Sequence, residues 1–301
     1  MKQTLCILSL ILLIFTFSCS SDDDAGTIAP EVSQLKLKRF VSGTTTRQID
    51  YSDQGKPTAV NFTNADITYN TEGSIASFLG DEFIYNTLDQ LDSINNSGTK
   101  RKFSYNSQGL MIAQTFLIID AGFLNGILVD ETLSIIYTYN VQNQIIEITS
   151  FSNQSQNGVR KQELIYNSSN QIEQIIEKSS SDSGATFLTL RVTDYLYDSK
   201  ANPAGLVYNA TGFESQFIPV NFNRIEPHTS LILRESITYV SSNNVRSATI
   251  TDYSSGVVIN TSNESITYQY DGDYPITGEI TKRENGQVVS TLPLLWEYVT
   301  D

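Results

Sequence analysis

The chain has 301 residues, a net charge of −14 and two cysteines. A chain this acidic does not attract nucleic acid through its general field, so we expect no nucleic-acid partner. Its length is sufficient to build a hydrophobic core without disulfides.

Residues 1–18 predict a secretion signal. A basic start precedes an apolar run from Leu5 to Phe17, which is too short to span a membrane. Because this run ends at Cys19, the segment resembles a bacterial lipoprotein signal, in which the cysteine is lipidated and becomes the first mature residue. It departs from the usual signal in lacking a leucine three residues before the cysteine, where Thr16 stands. A plain cleaved signal with an incidental cysteine is the alternative.

Residues 19–34 are predicted to form a lipidated polar tether. Three consecutive acids lie near its start: Asp22, Asp23 and Asp24. This run resembles the export tag that sends some lipoproteins to the outside of the outer membrane, and a simple solvated tether is the alternative. With Cys6 removed in the signal and Cys19 carrying lipid, no thiol remains for a disulfide, a metal or a nucleophile.

A short motif recurs along residues 35–301. Each copy carries an anchor tyrosine, and the nine anchors are Tyr51, Tyr69, Tyr85, Tyr105, Tyr139, Tyr166, Tyr197, Tyr239 and Tyr270. An apolar side chain two residues earlier shares a strand face with each anchor. These partners are Ile49, Ile67, Phe83, Phe103, Tyr137, Leu164, Tyr195, Ile237 and Tyr268.

The residues after each anchor predict a tight turn. Asn or Asp follows the anchor in seven copies, as favoured at the first position of a type I turn. Four residues after the anchor, Gly, Asn or Asp is common, and these residues tolerate a left-handed backbone. Asn243 is one such position. Six residues after the anchor, an apolar residue returns in most copies.

Each copy therefore predicts strand, turn and strand, and nine copies give about eighteen strands, more than an open twisted sheet usually carries. The expected fold is all-β: a long antiparallel meander of repeated hairpins, rolled into one barrel-like sheet system. The anchors and their partners should line its inner face. No Pro/Gly-rich linker interrupts the repeats, so we expect a single β domain over residues 35–301.

The motif Tyr-Asn/Asp-x-x-Gly-x-Ile/Leu, as in Tyr69 to Ile75 and Tyr105 to Met111, resembles the tyrosine-aspartate (YD) repeats of bacterial surface proteins. It is most similar to the degenerate versions in secreted lipoproteins of Gram-negative bacteria, a largely uncharacterised group. The resemblance covers roughly residues 48–298. It implies a β-hairpin architecture and an outer-membrane location, and it implies no particular activity.

Two segments interrupt the repeat. Residues 115–136 are rich in apolar residues around Asn125-Gly126, a strong hairpin signal, so we expect two longer, more buried strands; a binding patch is the alternative. Residues 203–235 form an insertion in which function could sit, because long loops on rigid scaffolds often carry binding residues. Its candidate binding residues are Phe213, Phe217, Phe222 and His228.

Trp296 is a further candidate, as a ring that stacks on a ligand. It also alternates with Leu294 and Tyr298, as core residues of an ordinary final strand do.

The sequence shows no catalytic motif. His228 is the only histidine, no Gly-x-Ser-x-Gly elbow marks a nucleophile, and one histidine without cysteine is a poor zinc site. We therefore predict no metal and no cofactor. Paired carboxylates stay open as candidates, although most of them alternate with apolar residues as solvent-facing positions do. They are Glu131, Glu147, Glu163 and Glu177.

Two functional hypotheses of different class follow. The first is a non-enzymatic surface lipoprotein, facing the cell exterior, that touches the membrane only through its lipid and binds a glycan or a surface protein. The second is a hydrolase of extracellular polymers that uses carboxylates on the sheet.

Overall fold

A computed structural model describes residues 35–60, 65–78, 80–124, 127–153, 158–203, 206 and 241–300. Within these residues, no helix has both the length and the apolar character needed to cross a membrane. Several predicted positions lie outside the described residues: Cys19, Asp22, Asp23, Asp24, Phe213, Phe217, Phe222 and His228.

The described residues form an all-β fold. The strands are β1 (Leu35–Ser42), β2 (Thr45–Tyr51), β3 (Pro57–Val60), β4 (Ala65–Asp66), β5 (Thr68–Tyr69), β6 (Ile75–Phe78), β7 (Asp81–Tyr85), β8 (Leu91–Asn95), β9 (Thr99–Tyr105), β10 (Met111–Leu124), β11 (Ile127–Tyr139), β12 (Ile145–Ser152), β13 (Val159–Tyr166), β14 (Ile172–Ser180), β15 (Leu188–Ala201), β16 (Asn243–Ser254), β17 (Val257–Asp271), β18 (Tyr274–Glu284) and β19 (Gln287–Thr300).

The strands form one antiparallel sheet in which chain neighbours pair. β4 and β5 are two short pieces on either side of Ile67, whose backbone N–H donates to Thr58 of β3 (2.7 Å). The last strand, β19, pairs with β1, from Leu35 opposite Thr300 to Ser42 opposite Leu294. The pairings therefore close on themselves, which confirms the predicted barrel-like meander.

The hairpin turns fall at two ends of the sheet. The tyrosine end carries the connections that follow the anchors, and the far end carries the others. At the tyrosine end, Gly109 N donates to Asn106 O (3.0 Å) and Asn106 N donates to Leu110 O (2.9 Å). The Asn106 side chain also accepts bonds from the backbone of Gln108 and Leu110, both at 3.0 Å. This is the predicted type I turn with a bulge.

The left-handed residue of this turn lies four positions after the anchor, as predicted. It is Gly55, Gly73, Asp89, Gly109, Asn143 or Asn170 in six copies, with φ between 57° and 85°. The prediction is wrong for Asn243, which is absent from the positive-φ residues and pairs with Ala201 as the first residue of β16. Asn243 follows the anchor Tyr239, which lies outside the described residues, and it begins a strand opposite Ala201 of β15 instead of closing a turn.

The inner face of the sheet holds the core. Seven of the nine predicted partners are buried: Ile49, Ile67, Phe83, Phe103, Tyr137, Leu164 and Tyr195. Tyr268 is half-buried, and Ile237 lies outside the described residues. Most of these side chains belong to one large cluster, and a smaller cluster forms around Leu37, Leu294 and Trp296. The inner-face prediction is thus confirmed for the described partners.

Each turn is followed by a bulge that changes which residues face inward. In β14, Tyr166 pairs with Ile172 while Ile165 pairs with Gln174, so Glu173 is the extra residue. As a result, the buried positions after the turn are three apart, as at Ile172 and Ile175. The same spacing recurs at Leu91 and Ile94, at Met111 and Gln114, and at Val245 and Ala248.

The strands β10 and β11 are 14 and 13 residues long, as expected from residues 115–136. Leu124 pairs with Ile127, so the strands meet around Asn125-Gly126, a turn that itself lies outside the described residues. Their described far-end part is less buried than expected, because Ile119 is 46% exposed.

Candidate functional site

Trp296 is the one predicted binding residue that the structure describes, and it lies in the smaller core cluster. Its indole is 8% exposed and packs against the rings of Phe40 (centroids 5.3 Å apart) and Tyr268 (5.7 Å). A ring enclosed in this way leaves no face open for a ligand. Trp296 therefore fits the alternative of a core strand rather than that of a stacking residue.

The two ends of the predicted insertion are joined at a polar stem at the tyrosine end. The backbone N–H of Asn202 donates to Ser242 O (3.0 Å), and its side chain donates to Ser241 O (3.0 Å). The Asn244 side chain donates to Ala201 O (3.1 Å). Both asparagines are buried. The sheet therefore fixes the points at which the connection between β15 and β16 leaves and returns.

Two of the candidate carboxylates lie on the outer face and are neutralised there. Glu147 pairs with Lys161 at 2.9 Å, and Glu163 pairs with Lys178 at 2.7 Å. Glu131 instead accepts a bond from the Ser152 hydroxyl (2.5 Å). Glu147 and Glu163 match the expectation of solvent-facing carboxylates, whereas Glu131 shares its strand face with Leu133 and Ile135 and is therefore directed to the inner side of the sheet.

Glu177 also faces the inner side of the sheet, and one of its oxygens is buried without a hydrogen-bond partner among the described residues. We define the inner polar row as Gln162, Glu177, Arg191 and Asp252, which lie directly opposite one another on β13, β14, β15 and β16. Each lies two residues from an inward position of its strand: Leu164, Ile175, Thr193 and Ile250. The solvent-facing interpretation is therefore wrong for Glu177.

The inner polar row combines one satisfied ion pair with two unsatisfied oxygens. Arg191 Nε contacts Asp252 Oδ1 at 2.7 Å, and both side chains keep about a fifth of their surface exposed (18% and 22%). By contrast, Gln162 Oε1 and Glu177 Oε1 are buried and have no hydrogen-bond partner among the described residues. Buried polar atoms of this kind are rare in folded proteins and require an explanation.

The charge state of Glu177 follows from its surroundings. Burial raises the pKa of its carboxyl, the Arg191 and Arg160 guanidinium groups lower it, and the Asp252 carboxylate raises it again; the net direction is upward. A carboxyl group with a raised pKa on a sheet face holds its proton at a higher pH than an exposed glutamate does.

A second candidate site is formed by two long hairpins at the far end. We define the far-end tips as residues 253–263 and 285–291, which contain no charged residue. Their turns are Ser255-Gly256 and Asn285-Gly286, with positive φ at all four residues. Five aliphatic side chains on the tips are at least half exposed: Val257, Val258, Ile259, Val288 and Val289.

The strand edges at the far-end tips are also unpaired in the described part of the chain. On these edges the backbone bonds to the neighbouring hairpin end at Thr261, which accepts from Asn285 N–H (3.3 Å), and those to the β1 side end at Pro293, which accepts from Gly43 N–H (2.9 Å). The tips therefore present backbone N–H and C=O groups beside aliphatic side chains. Sequence reasoning missed these tips, although Ser255-Gly256 and Asn285-Gly286 between apolar runs are recognisable hairpin signals.

The described residues contain no cluster of three or more His, Cys, Asp or Glu side chains that could hold a metal ion.

Comparison with known proteins gives only distant structural likeness. No protein family and no curated protein matches the chain. A porin-like protein from Bacteroides vulgatus shares 9% identity and a TM-score of 0.46, with 88% of this chain and 99% of that chain covered. A porin-like protein from Bacteroides uniformis shares 13% identity and a TM-score of 0.42, with 88% and 95% covered.

The TcdB2-TccC3 structure shares 10% identity and a TM-score of 0.35, with 83% of this chain and 13% of that chain covered. Likeness at this level carries no argument about function.

Proposed function

We propose that the protein is a non-enzymatic lipoprotein of the outer membrane, anchored through lipid on Cys19 and facing the cell exterior, which binds a partner protein through the far-end tips. The observation that supports this proposal is the group of exposed aliphatic side chains on two uncharged hairpins. A group of exposed aliphatic side chains on an otherwise acidic protein is typical of an interaction site.

A protein partner fits the tips better than a glycan does. Valine and isoleucine side chains offer apolar contact, and the adjacent free strand edges can pair with an extended peptide, so that the partner adds a strand to the sheet. A glycan is usually held by exposed aromatic rings and polar groups, and the tips are mainly aliphatic. The insertion aromatics Phe213, Phe217 and Phe222 are the site that a glycan would use.

The position of Leu35 agrees with this arrangement. Leu35, the first described residue, pairs with Thr300 at the tyrosine end of the sheet. In the proposal, a tether over residues 19–34 holds this end nearest the membrane. The far-end tips then point away from it, where a partner can reach them.

The proposal can be tested with the purified mature chain as bait on intact cells. The triple variant Val257→Ser, Val258→Ser and Ile259→Ser should lose a cross-linked partner that the original chain retains. Leu196→Ser is a matched control, because Leu196 is 66% exposed but lies outside the tips. Retention of the partner by the triple variant would contradict the proposal.

A glycan array on the same proteins tests the other ligand class. We expect no glycan that distinguishes the original chain from a Phe213→Ala, Phe217→Ala, Phe222→Ala and His228→Ala variant. A glycan bound by the original chain and lost in that variant would move the binding site to the insertion.

The anchor is tested separately. Cys19→Ala should give unlipidated protein, released from the membrane fraction or retained with its signal uncleaved. Replacing Asp22, Asp23 and Asp24 by Ala should leave the protein lipidated but facing inward. Protease added to intact cells would then digest the original and spare the variant. Equal digestion would leave the lipid anchor in place and remove the export tag.

One observation favours the hydrolase as a second candidate. Glu177, whose pKa is raised, lies in the same row as Asp252 but two strands away, with Arg191 between them, and glycoside hydrolases use one protonated and one ionised carboxyl. If the inner polar row is catalytic, Glu177→Gln and Asp252→Asn should each abolish turnover of a surface polysaccharide by the mature chain. Turnover that is unchanged in both variants would reject this candidate.

A further inference from the structure

We infer that Glu177 is a neutral carboxylic acid in the folded protein and donates its proton to Gln162 Oε1, so that the inner polar row acts as a pH-sensitive lock between β13 and β14. This inference goes beyond the proposed function and does not depend on it. It rests first on register, because Gln162 and Glu177 are direct partners across the two strands. Both face the same inner side of the sheet.

In the described orientation of the Gln162 amide, one proton would satisfy both buried oxygens. Gln162 Oε1 and Glu177 Oε1 each lack a hydrogen-bond partner among the described residues. An amide oxygen and an ionised carboxylate are both acceptors, so neither can satisfy the other. One added proton turns the carboxyl into a donor, and a single O–H···O bond then satisfies both groups.

The neighbouring charges leave this proton in place. Arg191 of β15 is engaged by Asp252 of β16 at 2.7 Å. Arg160 of β13 lowers the pKa of Glu177 through its charge but forms no ion pair with it in the described structure. Burial, which is the largest influence on this carboxyl, outweighs both arginines and raises its pKa.

The sign of the pH dependence follows directly. The folded-state pKa of Glu177 lies above its unfolded-state value, so the unfolded chain binds fewer protons in the range between the two. The stabilising contribution is complete below the unfolded-state value of about 4.3. It is lost as the pH rises through the folded-state value. The inner polar row therefore stabilises the fold most at acidic pH, and this contribution is lost towards alkaline pH.

The test is urea unfolding of the mature chain and of Glu177→Gln at acidic and alkaline pH. The glutamine keeps the shape, carries no charge and can donate an N–H to Gln162. At alkaline pH the variant should unfold at a higher urea concentration than the original chain, and this difference should shrink at acidic pH. Glu163→Gln is the matched control, since Glu163 is ion-paired to Lys178 on the outer face, and it should not gain stability at alkaline pH.

Two outcomes would overturn the inference. A lower urea midpoint for Glu177→Gln at alkaline pH would mean that an ionised Glu177 is stabilised by Arg160 or by the Gln162 amide. A difference in urea midpoint that does not change with pH would show that a proton on Glu177 is not the cause. If the variant folds poorly, infrared spectroscopy of the original chain tests the inference instead. A buried protonated carboxyl gives a carbonyl stretch that persists to a higher pH than in the unfolded chain, and loss of the stretch at the same pH in both would contradict the inference.

Discussion

The anchor tyrosines act through their hydroxyl groups as well as their rings. Nine tyrosine hydroxyls in the described part of the chain donate to backbone carbonyls at 2.6–2.9 Å. Tyr85 reaches Ile75, and Tyr105 reaches Leu91, six residues after the preceding anchor in each case. These repeats are thus each hydrogen-bonded to the preceding repeat.

The last copies show what happens when the register changes. Tyr268, the partner rather than the anchor, donates to Val245 O at 2.8 Å. The anchor Tyr270 is left to bond the Asp198 carboxylate, and Asn244 donates to its hydroxyl. This series of tyrosine-to-carbonyl hydrogen bonds therefore depends on which backbone carbonyl a hydroxyl can reach and not on the anchor's place in the motif.

The first prediction separates hydroxyl from ring. Tyr105→Phe removes one hydrogen bond to Leu91 O (2.8 Å) and should lower the free energy of unfolding by about 1 kcal/mol. Tyr105→Ala also removes a half-buried ring and should cost about 3 kcal/mol. Urea unfolding measures both. Tyr253→Phe is the control, because no hydroxyl contact holds Tyr253 in the described structure, and it should change little. If the Tyr105→Ala variant had normal stability but lost a ligand, Tyr105 would be a ligand contact and not a core residue.

A second residue-scale prediction concerns alkaline pH. Burial raises the pKa of Tyr69, Tyr85, Tyr105 and Tyr166 to about 12. These values lie above the usual tyrosine pKa, so the stabilising contribution is complete below pH about 10 and is lost between about 10 and 12. Phenolate absorbance and circular dichroism should therefore change together in that range. If these four tyrosines ionised near pH 10 while the β spectrum stayed intact, the prediction would be contradicted.

At the scale of the hairpin, the left-handed residue fixes the turn. Gly109 has φ of 80°, and an alanine there should cost about 1–2 kcal/mol from the backbone conformation alone. Gly98 is the matched control, because its φ is not in the left-handed region and an added Cβ meets nothing within 4 Å. Thermal unfolding of Gly109→Ala and Gly98→Ala compares the two positions. Equal melting temperatures would show that the turn does not require a left-handed residue.

The hairpins were predictable because their signals are local. A turn such as Asn106 to Gly109 is specified by its own side chains, and so is the inward pairing of Phe103 with Tyr105. The inner polar row was not predictable by counting in twos from Ile172, because the bulge at Glu173 shifts the inward face by one residue. The apolar spacing of three between Ile172 and Ile175 is the signal that would have placed Glu177 on the inner face.

The prediction for the connection between β15 and β16 failed for a different reason. Two copies of the motif, at Tyr197 and Tyr239, predicted two hairpins there. In the described residues, Ala201 pairs with Asn243, so β15 and β16 are direct neighbours in the sheet and no tight turn follows Tyr197. That pairing joins residues 42 positions apart along the chain, and no local turn signal reports it. The insertion was recognisable from its length, while its stem at Asn202 and Asn244 depends on tertiary contacts.

For the whole molecule, closure of the sheet depends on β1. This strand lies between β2 and β19 and supplies partners to both. Arg39 contacts Glu297 at 3.0 Å, and Phe40 covers Trp296. An antiparallel sheet that closes in this way has no exposed edge along the paired length, which removes the usual route to edge-to-edge association.

Removing β1 should therefore open the sheet. A chain that starts at Thr45 leaves β2 and β19 each with one unpaired edge and uncovers Trp296, which is otherwise 8% exposed. We expect this chain to associate through its new edges and to unfold at a lower urea concentration, as measured by light scattering and denaturation. A chain that starts at Gln34 lacks only the preceding segment and keeps β1, so it should stay monomeric. If the shorter chain were equally monomeric and stable, β1 would be dispensable and the fold an open meander.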